Sequence, residues 1–116
     1  IDASDGWAAA LGHICAPSPV GVKTAAAPLP IPPAARRVAA LVGPAQAEAW
    51  ALGGGEDYAL CITVGPHDVD ALVGRVRAAG ARAVDGGVVL AESEGRRVVG
   101  AGGDIRALGD DGWRHM

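Results

Sequence analysis

Two acidic segments contain the residues whose types and spacing suit chemistry. Asp2, Ser4 and Asp5 lie in the opening segment Asp-Ala-Ser-Asp-Gly, and the pair Glu56–Asp57 follows three glycines at 53–55. Carboxylates are ligands for Mg²⁺, and a hydroxyl can contact a phosphate. Because carboxylates repel a phosphate unless a cation lies between them, a metal role for Asp2 and Asp5 and a phosphate role for Ser4 depend on each other.

The opening acids also have a purely structural interpretation. If Ser4 caps a helix, Asp5 lies in the first turn of that helix and Asp2 just before it. Negative charges there suit the positive end of the helix dipole. Spacing alone favours this capping interpretation over metal binding.

The triple glycine permits backbone angles that are closed to other residues and allows a ligand to approach the main chain closely. No Lys-Ser/Thr pair follows, and a strand rather than a helix is predicted next. The segment is therefore neither a Walker-type phosphate loop nor a dinucleotide fingerprint. Glu56 and Asp57 either bind a metal or cationic group or form a solvated pair in a tight turn, and spacing alone favours the turn.

The C-terminal segment Gly112-Trp113-Arg114-His115-Met116 is the third candidate. Trp113 is either a plug for the core or a ring that stacks on a flat heteroaromatic ligand. No serine or histidine of the chain has partners at a spacing that indicates a catalytic triad, and we predict no covalent nucleophile.

Helical spacing and the positions of Pro and Gly predict the elements that must hold these residues. The first predicted element is a helix that Ser4 caps and Pro17 ends, with Trp7, Leu11, Ile14 and Cys15 on one face. A short β segment at 20–22 and a proline connector at 28–33 follow. Two helices come next, at 34–42 and 45–52, with Pro44 in the first turn of the second.

In the second half a strand is predicted at 58–64, followed by a helix from Pro66 to Gly80 with Val69, Leu72, Val73 and Val76 on one face. Beta segments are predicted at 83–84 and 88–90, on either side of a turn at Gly86-Gly87. A partner strand is predicted at 97–99, after a turn at Glu94-Gly95. The strand at 58–64 has the clearest pattern of any. Residues 57–91 thus predict a strand-helix-strand unit in a mixed α/β or α+β domain.

The composition limits the possible classes of protein. The 116 residues are enough for one domain with a single core, half of them are hydrophobic, and the net charge is −3 without a basic cluster. These values argue against nucleic-acid binding. No apolar run approaches the roughly 18 residues of a membrane span, and no secretory signal is visible. The two cysteines, Cys15 and Cys61, have no CxxC spacing, which argues against a small disulfide-rich secreted fold and against a zinc site.

Taken in order, the three motifs resemble the C-terminal half of the thiamine-monophosphate kinase family, within the superfamily of aminoimidazole ribonucleotide synthetase and selenophosphate synthetase. The family's Asp-x-Ser-Asp-Gly-Leu and Leu-Gly-His-Ile correspond to Asp2–Trp7 and Leu11–Ile14. Its Leu-Ser-Gly-Gly-Glu-Asp-Tyr-Glu-Leu corresponds to Leu52–Leu60, and its closing Gly-aromatic-x-His-Phe to Gly112–Met116. The resemblance runs in register over essentially the whole chain.

The resemblance implies ATP-dependent phosphorylation of thiamine monophosphate to thiamine diphosphate by a cytoplasmic, homodimeric enzyme. It implies that Asp2 and Asp5 bind Mg²⁺, that Ser4 contacts ATP, and that Glu56, with Asp57 as second choice, and Trp113 contact the substrate. The implied fold is the C-terminal domain of the aminoimidazole ribonucleotide synthetase-like fold, a mixed sheet packed with helices.

We expect residues 1–116 to be a single domain, the C-terminal half of a longer two-domain kinase. The chain begins with Ile inside a motif, and the family's N-terminal ATP-binding domain is absent from it, so we expect no catalysis by this chain alone. Trp7, Ala59 and Met116 replace the family's Leu, Glu and Phe, and Gly53 stands where Ser is common. Two alternatives therefore stay open: another ATP-dependent member of the superfamily, and a diverged, non-catalytic binding or dimerisation domain.

Overall fold

The fold combines helices with a mixed sheet. The computed structural model describes residues 1–43, 45–56 and 58–109. Within them the elements are α1 (Trp7–Cys15), β1 (Val20–Ala25), α2 (Pro33–Val42), α3 (Ala45–Gly53), α4 (Val69–Ala78), β2 (Gly87–Ala91), a 3-10 turn (Glu92–Glu94), β3 (Arg96–Val99) and β4 (Ile105–Ala107). The expected α+β class is confirmed in this form. No helix of the described ranges is both long and apolar enough to cross a membrane.

Helix α1 confirms the predicted helix but not its predicted beginning. It starts at Trp7, and the preceding Gly6, with φ 102°, caps it without any side-chain hydrogen bond. The prediction that Ser4 caps the helix is wrong, and no acid lies in the first turn. The Ser4 hydroxyl instead donates to Asp2, a local bond that competes with helix capping.

Helices α2 and α3 lie within a residue of their predicted positions. Helix α2 begins at Pro33, where a missing N–H costs nothing because the first N–H groups of a helix have no partner within it. Pro44, predicted in the first turn of α3, lies outside the described residues. The two helices pack against each other, and α3 also packs against α1.

Strand β1 is the centre of the sheet, whose order is β2-β1-β3-β4. It pairs antiparallel with β2 and parallel with β3, while β3 pairs antiparallel with β4. The short β segment predicted at 20–22 is therefore confirmed and extends to Ala25. The predicted pairing of 97–99 with 88–90 is wrong, because β1 lies between them. The turn at Glu92–Gly95 crosses the end of β1, where the Gly95 carbonyl accepts from Val22 N–H at 3.0 Å.

The core lies where α1, α3 and the sheet meet. It consists of small and branched apolar side chains, namely Ala3, Ala8, Ala10, Leu11, Val22, Leu29, Leu52, Cys61, Val98 and Leu108. Trp7, Ile14 and Cys15 pack against it, as the helical spacing of α1 predicts.

The strand predicted at 58–64 is wrong. In this segment the ladder is a single antiparallel bridge between Asp2 and Leu60, with hydrogen bonds from Ala3 N–H to Ala59 and from Cys61 N–H to Ile1. A strand needs a neighbour along its length, and in the structure this segment has only that bridge. The predicted strand-helix-strand unit at 57–91 is therefore wrong as well.

Helix α4 is confirmed, and so is its C-terminal stop, but it begins at Val69 and not at Pro66 as predicted. Gly80, with φ 87°, follows it and donates to the Arg77 carbonyl at 2.9 Å. None of the residues of α4 is buried, although Val69, Leu72, Val73 and Val76 are only half-exposed. The sequence pattern forms the helix, but its apolar face does not join the core.

Candidate functional site

The segment Asp2–Gly6, which we call the acid turn, is held by its own hydrogen bonds. One Asp2 carboxylate oxygen, Oδ1, accepts from the Ser4 amide at 3.1 Å and from the Ser4 hydroxyl at 2.5 Å. The Gly6 amide donates to the Ala3 carbonyl at 2.9 Å. The two Ser4 donors favour the charged carboxylate, so the pKa of Asp2 lies below its ordinary value. Asp2 is exposed and ionised near neutral pH.

The segment Gly53–Glu56, which we call the glycine loop, leaves the end of α3. Gly54 N–H donates to the Trp50 carbonyl at 2.8 Å and completes the last helical turn. Glu56 then has φ 64°, and Tyr58 has φ 49°. Left-handed backbone is uncommon in residues with a side chain and costs on the order of 1–3 kcal/mol where it occurs. The backbone on both sides of position 57 is therefore held in an unusual conformation, and Glu56 is exposed there.

The acid turn and the glycine loop touch backbone to backbone. The Glu56 amide donates to the Ser4 carbonyl at 2.6 Å. A side-chain carbon placed on Gly6 would lie 2.9 Å from the Gly54 carbonyl oxygen and 3.2 Å from the Gly53 carbonyl carbon. With φ 102° as well, this position needs glycine for both its backbone angle and its space. The two motifs, separated by about fifty residues, thus form one surface.

Four of the five residues predicted for the site are therefore brought together: Asp2, Ser4, Asp5 and Glu56. Trp113, the fifth, lies outside the described residues, as does Asp57. The capping interpretation of the acids no longer applies, because neither aspartate lies in the first turn of α1. The turn that contains them is instead held against the glycine loop through Ser4 and Gly6.

A magnesium ion fits the acid turn only if other groups supply part of its ligands. In the described ranges no group of three or more His, Cys, Asp or Glu side chains is arranged to hold a metal. Mg²⁺ is commonly bound by one or two carboxylates together with water and substrate phosphates, so it does not need such a group. Asp2, ionised and exposed, is suited to that partial role, with Asp5 three residues along the same turn.

Sequence reasoning missed a buried contact beside the acid turn. The Trp7 indole Nε1–H donates to the Thr24 hydroxyl at 2.9 Å, and that hydroxyl donates to the Gly86 carbonyl at 2.6 Å. From the sequence, the pair Gly86-Gly87 indicated a turn and no contact with Trp7. A signal was nevertheless present in Trp7, since an indole N–H on the buried face of a helix needs a hydrogen-bond acceptor.

Comparison with known proteins gives one consistent result. No protein-family profile matches the chain. It is similar to the thiamine-monophosphate kinase of Escherichia coli K12, with 50% identity over 64 residues, which are 55% of this chain and 19% of the relative. The enzyme of the same name from Salmonella typhimurium is 47% identical over 64 residues, again 55% of this chain and 19% of the relative. That from Haemophilus influenzae is 38% identical over 77 residues, 66% of this chain and 23% of the relative.

The chain spans about a fifth of the length of these relatives. The matches fit a fragment of that family. The printed names of these relatives agree with the family that the motifs resemble.

Proposed function

We propose that this chain is the C-terminal domain of a longer, homodimeric thiamine-monophosphate kinase, which transfers a phosphoryl group from ATP to thiamine monophosphate. The observation that carries the proposal is the contact between the acid turn and the glycine loop. Two motifs of the same family resemblance, far apart in sequence, meet through the Glu56–Ser4 hydrogen bond and the Gly6–Gly54 contact. The printed names of the relatives support the same activity.

In this proposal Asp2 and Asp5 are ligands to Mg²⁺. The bound ion supplies positive charge that offsets the negative charge of the transferring phosphates. The Asp2 carboxylate suits this role because the two Ser4 donors lower its pKa and so favour the ionised form that binds a cation. A single domain provides two carboxylates, and the proposal assigns the remaining ligands to the nucleotide and the rest of the polypeptide.

Ser4 is the proposed ATP contact, and its present hydrogen bond determines how that contact arises. A phosphate oxygen accepts hydrogen bonds, whereas the Ser4 hydroxyl now donates to Asp2. The hydroxyl must therefore turn away from Asp2 before it can donate to a phosphate. A cation bound to the Asp2 carboxylate would offset the negative charge that attracts the Ser4 hydroxyl and so release the hydroxyl. Cation and phosphate are therefore expected to bind together.

Glu56 and Trp113 are the proposed substrate contacts. The backbone amide of Glu56 is bonded to the acid turn and its side chain is exposed, and its carboxylate is the proposed contact to the cationic or amino-bearing part of thiamine monophosphate. Trp113 would pack on the substrate's ring. Direct transfer between the two phosphates needs no covalent nucleophile, and we assign none.

The test is formation of thiamine diphosphate from ATP, Mg²⁺ and thiamine monophosphate by the complete polypeptide. We expect turnover by the complete polypeptide and none by residues 1–116 alone. Asp2→Asn should lower kcat/KM by at least about 100-fold, because it removes charge stabilisation at the transferring phosphate. Asp70→Asn, an exposed aspartate on α4, is the matched control and should leave kcat/KM unchanged.

Three outcomes would contradict the proposal. They are absence of thiamine diphosphate with the wild-type polypeptide, full activity of Asp2→Asn, and turnover by this chain alone. ATP consumption with a different acceptor and none with thiamine monophosphate would favour another ATP-dependent member of the superfamily.

A further inference from the structure

Trp7 connects the acid turn to the interior of the protein. It is the first residue of α1 and follows Gly6 directly. Its indole N–H donates to Thr24, which is 1% exposed in the middle of the sheet. The Thr24 hydroxyl donates onward to the Gly86 carbonyl, just before β2. A continuous hydrogen-bonded path therefore joins the start of α1, the central strand and the turn at Gly86.

The indole ring also contacts the backbone of Gly86 closely. A side-chain carbon at Gly86 would lie 2.6 Å from Cζ2 and 3.1 Å from Cη2 of Trp7. The ring thus occupies the volume that any larger residue at this position would fill. Hydrogen bond and packing together give the indole a single orientation, which fixes the rotation of the first turn of α1.

On its opposite side the acid turn is held by the bonds of Asp2 and Ala3 to residues 59–60 and by the glycine loop. At the loop the contacts are the Glu56–Ser4 hydrogen bond and the approach of Gly6 to Gly54. Gly6 has no side chain to restrict its backbone, so the orientation of the turn relative to α1 depends on the next fixed residue. That residue is Trp7.

We propose that Trp7, through Thr24 and Gly86, is a positioning residue that holds the acid turn in the geometry for binding a divalent cation. The inference rests on the metal role proposed for Asp2 and Asp5. Functional groups must be held to within about 0.5 Å of their productive positions, and supporting residues provide that precision. Trp7 touches neither cation nor substrate and acts through the backbone of Gly6 and Asp5.

The test is a titration of the complete polypeptide, in the presence of a non-hydrolysable ATP analogue, with Mn²⁺, a paramagnetic substitute for Mg²⁺, followed by broadening of the acid-turn amide signals in NMR spectra. Trp7→Leu should weaken Mn²⁺ binding by about tenfold, the lower end of the range for residues that support metal ligands. Thr24→Val removes the acceptor of the indole N–H and should weaken binding in the same direction by a smaller factor. Thr24→Ser keeps the hydroxyl and should bind within about twofold of wild type.

Two controls separate positioning from packing. Trp50→Leu makes the same substitution at a partly exposed tryptophan of α3 and should leave Mn²⁺ affinity unchanged. Thermal unfolding of each variant is measured in parallel, and titrations are made well below the melting temperature. If Trp7→Leu does not fold, the comparison of Thr24→Val with Thr24→Ser decides the question.

The inference is overturned if Trp7→Leu folds and binds Mn²⁺ as tightly as wild type, even with a lower melting temperature. If Trp7→Leu does not fold, the same result for Thr24→Val overturns it. That result would make Trp7 a packing residue only and leave the proposed function standing. Mn²⁺ binding by wild type that Asp2→Asn and Asp5→Asn do not weaken would instead contradict the metal role itself, and both proposals would fail.

Discussion

Residues 1–61 and 87–109, the packed region, differ sharply from residues 62–86, the open segment. All the buried apolar side chains of the described residues lie in the packed region, from Ala3 to Leu108. The open segment, described throughout, contains α4 and contributes none. Ile62 and Val64, next to the packed region, are 57% and 41% exposed.

The difference separates what local sequence can specify from what requires a neighbour. The apolar spacing of α4 forms a helix, but most helical stability in proteins comes from packing an apolar face. The open segment has the pattern without that packing. The candidate site belongs to the packed region, and it lies at the boundary with the open segment through the bridge between Asp2 and Leu60.

The largest expected effect comes from one substitution made in both regions. Leu11→Ala removes a side chain that is 6% exposed in α1 and should lower the free energy of unfolding by about 2–5 kcal/mol. Leu72→Ala on α4 should cost clearly less than Leu11→Ala, since its side chain is only partly buried and lies outside the core. Urea unfolding of the two variants measures both. Equal losses would show that the open segment is packed as tightly as the core.

The second comparison concerns glycines with positive φ. Gly6→Ala should cost about 1–3 kcal/mol, because φ is 102° and the new Cβ would lie 2.9 Å from the Gly54 carbonyl oxygen. Gly80→Ala is the matched control, with φ 87° and no atom within 4 Å of the new Cβ, and should cost less. Chemical denaturation again gives the values. A larger cost at Gly80 would contradict the close contact between acid turn and glycine loop.

A smaller effect is expected where a polar contact ties α3 to the loop after β3. Glu48 accepts from the Ala101 amide at 2.9 Å and from the Arg106 guanidinium. Glu48→Gln should cost about 1 kcal/mol or less at neutral pH, because Arg106 is nearly half exposed. Glu92→Gln, in the exposed 3-10 turn, is the control.

This contribution should depend on pH in a defined direction. The Ala101 amide and Arg106 hold the pKa of Glu48 below its ordinary value of 4.5. A carboxylate with a lowered folded pKa stabilises the fold above its unfolded value and loses that contribution as the pH falls through the folded value. The stability difference between wild type and Glu48→Gln should therefore be full above about pH 5 and shrink below pH 4.5. A difference that grew on acidification would contradict this arrangement.

The smallest effect is expected in the middle of α4. Gly74→Ala meets no atom within 4 Å and replaces the poorest non-proline helix former with the best, a gain of up to about 1 kcal/mol in an isolated helix. Because α4 is not packed into the core, this gain should raise helicity by circular dichroism while the midpoint of global unfolding moves little. A large increase in that midpoint would show that α4 unfolds together with the packed region.

The sequence predicted individual helices and strands better than it predicted which strands pair with one another. The spacing of Trp7, Leu11 and Ile14 gave α1, and Gly80 gave the end of α4. The central place of β1 was not predictable, because a six-residue strand does not indicate which strands flank it. The strand pattern at 58–64 was misleading, since an apolar run forms a strand only beside a partner.

The candidate site was predictable in its residues but not in its assembly. The acids and glycines stand out in sequence by type and spacing. Their contact depends on Gly6 fitting against Gly54, a backbone approach that no local pattern indicates. The predicted Ser4 cap failed for a related reason, because Asp2 two residues earlier offered the hydroxyl a closer acceptor.

Calorimetric titration of thiamine monophosphate into the complete polypeptide, with Mg²⁺ and a non-hydrolysable ATP analogue, tests the central claim most directly. We expect saturable binding that Glu56→Gln weakens by at least about tenfold, since a charged contact to the ligand is lost, while Glu92→Gln leaves it unchanged. Failure of the wild-type polypeptide to bind thiamine monophosphate under these conditions would contradict the proposed function.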